Sequence, residues 1–231
     1  MECSDLTVII PTLNEEKNIA KLLGLIEKNC RGCHIIVSDD GSKDRTQKLV
    51  KQKAARNPKI LLLDRSSEKV KGLTISVLDG VRAAITDYLA VIDGDLQHPP
   101  EKIPEILKKL RQGYDVVVGT REKVKTKWAF HRKIMSKTAI LMGRLRLLLK
   151  GIYVKDVVSG FFGTKTPMFK QAIKEHEGSF EPRGYKVLFD YLKQLKKPKI
   201  GEVYYIFGLR TGGTSKINKS HIWLYFKSMF K

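Results

Sequence analysis

Long apolar runs are missing from this chain. Its most hydrophobic extended window, residues 138–149 (TAILMGRLRLLL), is broken by Arg144 and Arg146 and falls well short of the roughly 20 apolar residues that a spanning helix needs. The sequence is therefore expected to carry no membrane anchor of its own. The opening MECSDLTVIIPT has no basic stretch followed by an apolar one, so no secretory signal is expected, and the cytoplasm is the expected compartment. Cysteine is scarce. Cys3, Cys30 and Cys33 are an odd number in a chain without an export signal, which predicts free thiols in a reducing compartment. Cys30 and Cys33 have the spacing of a redox pair or half a zinc site, but no second Cys or His pair stands at a suitable distance, so they are read as structural. Acids are scarce in one half only. Residues 1–120 hold 19 Lys/Arg against 17 Asp/Glu, whereas residues 121–231 hold 25 against 7, so nearly all of the net charge of +20 belongs to the second half. Such a field suits a polyanionic partner: nucleic acid, a phosphorylated small molecule or an anionic membrane surface.

Repeats, low-complexity tracts and a clear interdomain linker are absent as well, so the 231 residues are expected to form one domain. What is present is an alternation. LTVII (6–10), HIIVS (34–38), KILLLD (59–64), YLAVID (88–93) and YDVVVGT (114–120) predict strands apolar on both faces. Between them Ile19, Leu22, Leu23 and Ile26, and then Ile103, Ile106, Leu107 and Leu110, recur at helical spacing, with Pro99 and Pro100 suited to a first helical turn. Strands alternating with helices mean an α/β fold with a mostly parallel sheet and helices on both faces. The second half is less regular. It predicts a long basic helix over about 128–149, a strand in VVSGFFGT, a helix near 184–196, a strand over 202–208, a Gly-rich loop RTGGTSK, and the aromatic, basic end HIWLYFKSMFK.

Ligands of open α/β sheets bind at the carboxyl ends of strands, and three predicted strand ends carry acids: Glu15, the pair Asp39 and Asp40, and the pair Asp93 and Asp95. Residues two apart in an extended segment point the same way, so Asp93 and Asp95 can face a common point. Two carboxylates that close repel unless a cation sits between them. Mg²⁺ or Mn²⁺ fits, being a hard ion held by one or two carboxylates with positions left for water and phosphate. Gln97 continues the alternation and offers an amide oxygen. Against this stands the plain reading of Asp-Gly as a polar turn at a strand end.

Taken in order, VIIPTLNEEKNI, IIVSDDGSKDRT, AVIDGDLQHPPEKIPEIL and VVVGTR resemble family 2 glycosyltransferases with the GT-A fold. HRKIMSKTA, VKDVVSGFFGTK and TGGTSKIN extend the likeness to the dolichol-phosphate mannose synthase branch of that family, over nearly the whole chain. The resemblance implies a nucleotide-sugar-binding half (1–120) and a basic acceptor-binding half (121–231) with amphipathic C-terminal helices. It implies that Pro11, Leu13 and Glu15 line the nucleoside pocket, that Asp40 bonds the base with Ser38 nearby, and that Asp93, Asp95 and Gln97 form the metal and diphosphate site. Leu13 stands where that branch often has an aromatic residue, so one stacking contact is missing. His98, inside the same motif, is as suited to packing as to action and stays outside the catalytic set. Asp44 is read as a helix cap.

Residues 121–137 carry seven basic residues and one acid, and for Lys123, Lys125 and Lys127 a solvated face suffices. Arg121 follows a strand end, and Arg132 and Ser136 lie one helical turn apart. The resemblance implies that these three hold the acceptor phosphate together with Arg210 and Lys216, a task suited to the planar guanidinium fork, and it puts Arg121 and Arg132 beside Asp93 and Asp95 in the catalytic set. The implied reaction moves a sugar, with inversion, from GDP-mannose to a polyprenyl phosphate such as dolichyl phosphate. The attacking phosphate arrives largely ionised, so electrostatics rather than proton transfer carries the burden. Cationic, apolar segments then predict peripheral attachment to the cytoplasmic face of a membrane. Some relatives rely on small membrane subunits, and such a partner is compatible with this chain. The rivals are a UDP-glucose-dependent sibling, a transferase with a saccharide acceptor, a non-catalytic sugar-nucleotide binder and a nucleic-acid-binding protein. The strand-end acids and the lack of any recognisable module argue against nucleic acid.

Overall fold

The computed structural model describes the backbone of residues 1–124, 130–209, 224 and 228, and the side chains of the same residues apart from 124, 130–137 and 139. The elements run β1 (Leu6–Thr12), α1 (Ile19–Asn29), β2 (His34–Asp39), α2 (Thr46–Ala54), β3 (Ile60–Asp64), α3 (Leu73–Ala83), β4 (Tyr88–Val91), α4 (Ile103–Arg111), β5 (Val116–Val124), α5 (Phe130–Leu148), β6 (Phe162–Lys165), α6 (Thr166–His176), α7 (Val187–Leu192) and β7 (Ile200–Phe207). The described strands make one seven-stranded sheet in the order β3-β2-β1-β4-β6-β5-β7. Only β6 runs against its neighbours, pairing antiparallel with both β4 and β5. The α/β, mostly parallel architecture expected from the alternation is the one observed.

Alternation within the strands splits the core in two. Ile9, Leu89, Val91, Val116 and Val118 face α3, α6 and α7, whereas Val8, Ile10, Ala90, Ile92 and Val117 face α1, α2 and α4. Helix α4 shows why its segment is helical. Ile103, Ile106, Leu107 and Leu110 are all buried on one stripe, and each contributes about 1.5–3 kcal/mol by leaving water. A short 3-10 turn over Pro100–Lys102 leads into it, so the proline pair does open the helical segment.

Three expectations differ from the structure. The β3 segment is not buried on both faces: it is the outer strand, and Leu61 is 45% exposed. The strand foreseen across VVSGFFGT shortens to β6, because residues 156–161 form a loop pinned by Ser159, whose hydroxyl donates to Gly119 O at 2.7 Å. Helix α6, opened by Pro167 in its first turn, was not anticipated. The basic helix foreseen over 128–149 is α5. Near the end of the chain, the Ser228 hydroxyl donates to Asp190 and Lys193 donates to Ser228 O, while Lys193 and Asp190 pair at 2.9 Å, all of them buried.

Candidate active site

Parallel register brings the ends of β1, β2 and β4 to one edge. Thr12 stands opposite Asp39, Pro11 opposite Ser38 and Ile9 opposite Val91. Beyond these ends the chain turns back on itself: Asp40 N donates to Thr12 O at 2.9 Å. Gly94 lies so close to β1 that a Cβ there would stand 3.2 Å from Thr12 Cγ2 and 3.3 Å from Glu15 Cγ. The structure thus brings Glu15 and the 93–95 segment together, as the strand-end pattern required.

The two acids after β2 take different roles. Asp39 is fully buried and accepts from the Thr12 hydroxyl, the Ser42 hydroxyl and amide, Gly41 N and Gln47 Nε2. Its oxygens are used by its own loop. Asp40 accepts from Gly72 N at 2.7 Å, and Gly72 has φ 150, with Pro182 O only 2.6 Å from where a Cβ would stand; only glycine meets both demands. Burial pushes the Asp40 carboxyl above its usual range, and the Gly72 amide and the Arg65 charge oppose that shift. Asp40 Oδ1 lies 3.6 Å from Arg65 Nε, and both atoms are buried without a hydrogen bond. Ser38 Oγ beside them is also buried without one. Buried polar atoms without a hydrogen bond thus collect at the edge where a nucleoside is expected. Pro11 is buried and Leu13 half-buried at the same edge, and Glu15, buried, accepts from Asn18 Nδ2 at 2.9 Å. The cap position of α2 is taken by Arg45 and not, as expected, by Asp44; Asp44 stands just before it and accepts from Thr46 N at 2.9 Å and from Glu16 N at 3.1 Å.

After β4 the chain passes Asp93, Gly94 and Asp95 and then Leu96, which holds φ 61, a left-handed conformation costing on the order of 1–3 kcal/mol for a non-glycine residue. Asp95 is buried and accepts from Gln97 N at 3.1 Å. Gln97 Nε2 donates to Gly208 O at 3.1 Å, and Gly208 N donates to Gln97 O at 2.8 Å, so the remaining polar atom of the Gln97 amide is its oxygen. Asp93 is 30% exposed in its side chain and lies against Gly160, where a Cβ would come 2.8 Å from Asp93 Oδ2. Among the described residues no group of three or more His, Cys, Asp and Glu could hold a metal by itself. Two carboxylates and an amide oxygen nonetheless suit a hard divalent ion that draws its other ligands from water and substrate phosphate.

Across from the acids, Arg121 grips Asp156 with two bonds, Nε to Oδ2 at 2.6 Å and Nη2 to Oδ1 at 2.9 Å. The guanidinium is 15% exposed, its partner 5%, and it lies 5.6 Å from the Phe207 ring centroid. The same Phe207 ring lies 5.2 Å from the His98 ring, which bonds Asp93, so the acidic and basic sides meet across these two rings. Arg132 and Ser136 are both on α5, one turn apart, with side chains outside the described residues, as are Arg210 and Lys216 altogether.

Three residues of this site escaped or were set aside in the sequence. His98 both packs and bonds: its ring meets Phe161, Tyr205 and Phe207, while Nε2 lies 3.0 Å from Asp93 Oδ2 and Nδ1 2.7 Å from the Tyr205 hydroxyl. Tyr205, 107 residues away in sequence, carries no local signal. Asp156 did carry one, being among the few acids in a strongly basic half.

A mostly parallel sheet with one reversed strand and acids gathered along its carboxyl edge defines a GT-A-type α/β protein. Residues 7–175 match the Glycosyl transferase family 2 profile, and the chain belongs to that family. It is 36% identical over 231 residues to the dolichol-phosphate mannosyltransferase of Pyrococcus furiosus, covering 97% of this chain and 62% of that protein. It is 29% identical over 237 residues to the Saccharomyces cerevisiae protein of the same name, covering 96% of this chain and 85% of that one. The chain thus spans less than two thirds of the Pyrococcus relative's length. Among solved structures, Mycobacterium tuberculosis glucosyl-3-phosphoglycerate synthase shares the fold at TM-score 0.65 and 20% identity, over 97% of this chain and 77% of that one. Its complex with Mn²⁺, uridine diphosphate and glucosyl-3-phosphoglycerate gives TM-score 0.66 at 20% identity, over 97% and 80%.

Proposed function

We propose that this protein transfers mannose from GDP-mannose to a polyprenyl phosphate such as dolichyl phosphate, with inversion at the anomeric carbon. The observation that carries the reading is the meeting of a strand-end acid with a half-buried arginine: Asp93, of the Asp93-Gly94-Asp95 motif, on one side of the His98 and Phe207 rings and Arg121 on the other. The two mannosyltransferase relatives support the choice of sugar and acceptor. Asp40, with its orphaned oxygen, bonds the base, and Pro11, Leu13, Glu15 and Ser38 wall the nucleoside. Asp93, Asp95 and Gln97 would hold Mg²⁺ or Mn²⁺, which supplies positive charge against the diphosphate. Arg121, Arg132 and Ser136, with Arg210 and Lys216, orient the acceptor phosphate. An ionised phosphate oxygen needs no base, so the residues' task is to bring two anions together and align them.

The acceptor's lipid tail asks for a membrane surface. Among the described residues no helix is long and apolar enough to cross one, but α5 exposes Leu141 at 57% and Leu145 at 55%, with Leu148 at 48% and Leu149 at 82% beyond them. Arg144 and Arg146 are interleaved. Leucines at helical spacing among cations suit peripheral binding to anionic lipid on the cytoplasmic side, with or without a small membrane partner.

The test is radiolabelled GDP-mannose and UDP-glucose offered separately with a polyprenyl phosphate, with and without Mn²⁺. Lipid-linked mannose formed only with the ion is the expected result. Transfer from UDP-glucose alone would establish the glucosyl sibling instead, and RNA binding without any transfer would overturn the reading.

A further inference from the structure

A chain of polar contacts leaves the metal motif and runs into the hydrophobic core. The Tyr205 hydroxyl lies 2.7 Å from His98 Nδ1, and His98 Nε2 lies 3.0 Å from Asp93 Oδ2. Tyr205 and His98 are each 3% exposed; the imidazole meets Phe161 and Phe207, and the phenol ring meets Phe161. A carboxylate can only accept, so Nε2 carries the hydrogen that Asp93 receives, and in the neutral imidazole Nδ1 then presents its lone pair to the phenol, which donates to it. The tyrosine thereby fixes the imidazole tautomer, and the imidazole fixes the plane of the Asp93 carboxylate. Burial pushes the Tyr205 phenol well above its ordinary range, which keeps it a donor.

We infer that Tyr205 and His98 are positioning residues that aim the Asp93 carboxylate at the divalent cation. The inference rests on the metal reading given above and extends it by two residues, one of them at the far end of the chain. The hydrogen bond to Oδ2 restrains the carboxylate's rotation about its Cβ–Cγ bond, so His98 sets the direction in which Asp93 faces the ion. Gly160 closes the other side: with no Cβ, it lets the carboxylate lie flat against the 156–161 loop. Outer partners of this kind change metal affinity by roughly 10- to 100-fold when removed.

The test is Mn²⁺ binding by the purified full chain with GDP, followed through the paramagnetic resonance signal of free Mn²⁺. His98→Phe keeps a ring against Phe161 and Phe207 but lacks the donor, and its Mn²⁺ Kd should rise about 10- to 100-fold. His98→Gln presents an amide N–H at nearly the same place and should restore most of the affinity, which a packing role alone would not predict. Tyr205→Phe should weaken binding in the same direction by less, and it decides the matter should His98→Phe fail to fold. Wild-type affinity in His98→Phe, or in Tyr205→Phe when that variant alone is folded, overturns the inference while the metal reading stands. A wild-type chain that takes up no Mn²⁺ with either GDP or UDP overturns both.

Discussion

Asp40 joins a cost in stability to the role in binding the base proposed for it. Its carboxyl is pushed up by burial, so the folded state favours the neutral form. The sign follows: the penalty is absent below the unfolded pKa and grows to its full size as pH rises through the folded value. At neutral pH, Asp40→Asn should therefore match or exceed the wild type in urea midpoint, while calorimetry finds its affinity for GDP about 10-fold weaker or worse, as loss of a charged hydrogen bond implies. Asp5 behaves in the opposite way. Arg111 grips it at 2.9 and 2.6 Å, and that hydrogen bonding lowers its carboxyl below the usual range. The stability it confers is complete above the ordinary value of 3.8 and is lost as pH falls through the depressed one. Urea midpoints of wild type and Asp5→Asn should thus differ by a constant amount from pH 7 to about 5 and converge in stronger acid. Reading at this scale succeeds where chemistry is local. The Asp93-Gly94-Asp95 pair and the adjacent Asp39 and Asp40 announce themselves by spacing, but that Ser42 and Gln47 fold back onto Asp39 and occupy its oxygens is something of which spacing carries no record.

Strands and helices with strong periodicity were legible, because burial on both sheet faces leaves unbroken apolar runs and helix α4 keeps a single apolar stripe. The edge position of β3 was not, since LLL looks the same whether one face or two are covered. The 156–161 loop hid for a related reason: its apolar residues fill core space without pairing as a strand. That loop supplies Asp156, and the element-scale prediction concerns its bond to β5. Asp156→Ala strands a half-buried guanidinium and should destabilise the protein by up to about 3 kcal/mol in urea unfolding. Replacing both partners, Arg121→Met with Asp156→Leu, should recover much of that loss without recovering transfer, which separates the pair's structural role from its anion-binding one. For α5, Leu145→Glu with Leu149→Glu should leave the melting temperature nearly unchanged and abolish flotation with acidic liposomes at low salt; a wild-type chain that stays in solution there would remove the case for the leucine stripe.

At the scale of the molecule, the division between a nearly neutral first half and a strongly basic second half is a division of charge and not of folding units. No linker marks residue 120: β5 runs across it, and β6, from the second half, lies between β4 and β5 and pairs with both. A segment ending at residue 120 would leave β4 with an open edge and β5 with no neighbour on either side. Expressed alone it should show poor amide protection in β4 and β5 by hydrogen exchange, with protection confined to β1, β2 and β3. The same reversed strand governs timing. Local β-α-β units can close early, whereas β6 must return across the gap before the sheet is continuous, and the 156–161 loop with Asp156 and Gly160, and strand β7 with Tyr205, reach the Asp93 side only with that closure. A nascent or partly unravelled chain thus holds its acids without the groups that aim them, so that chemical competence should arrive in one late stroke rather than by degrees.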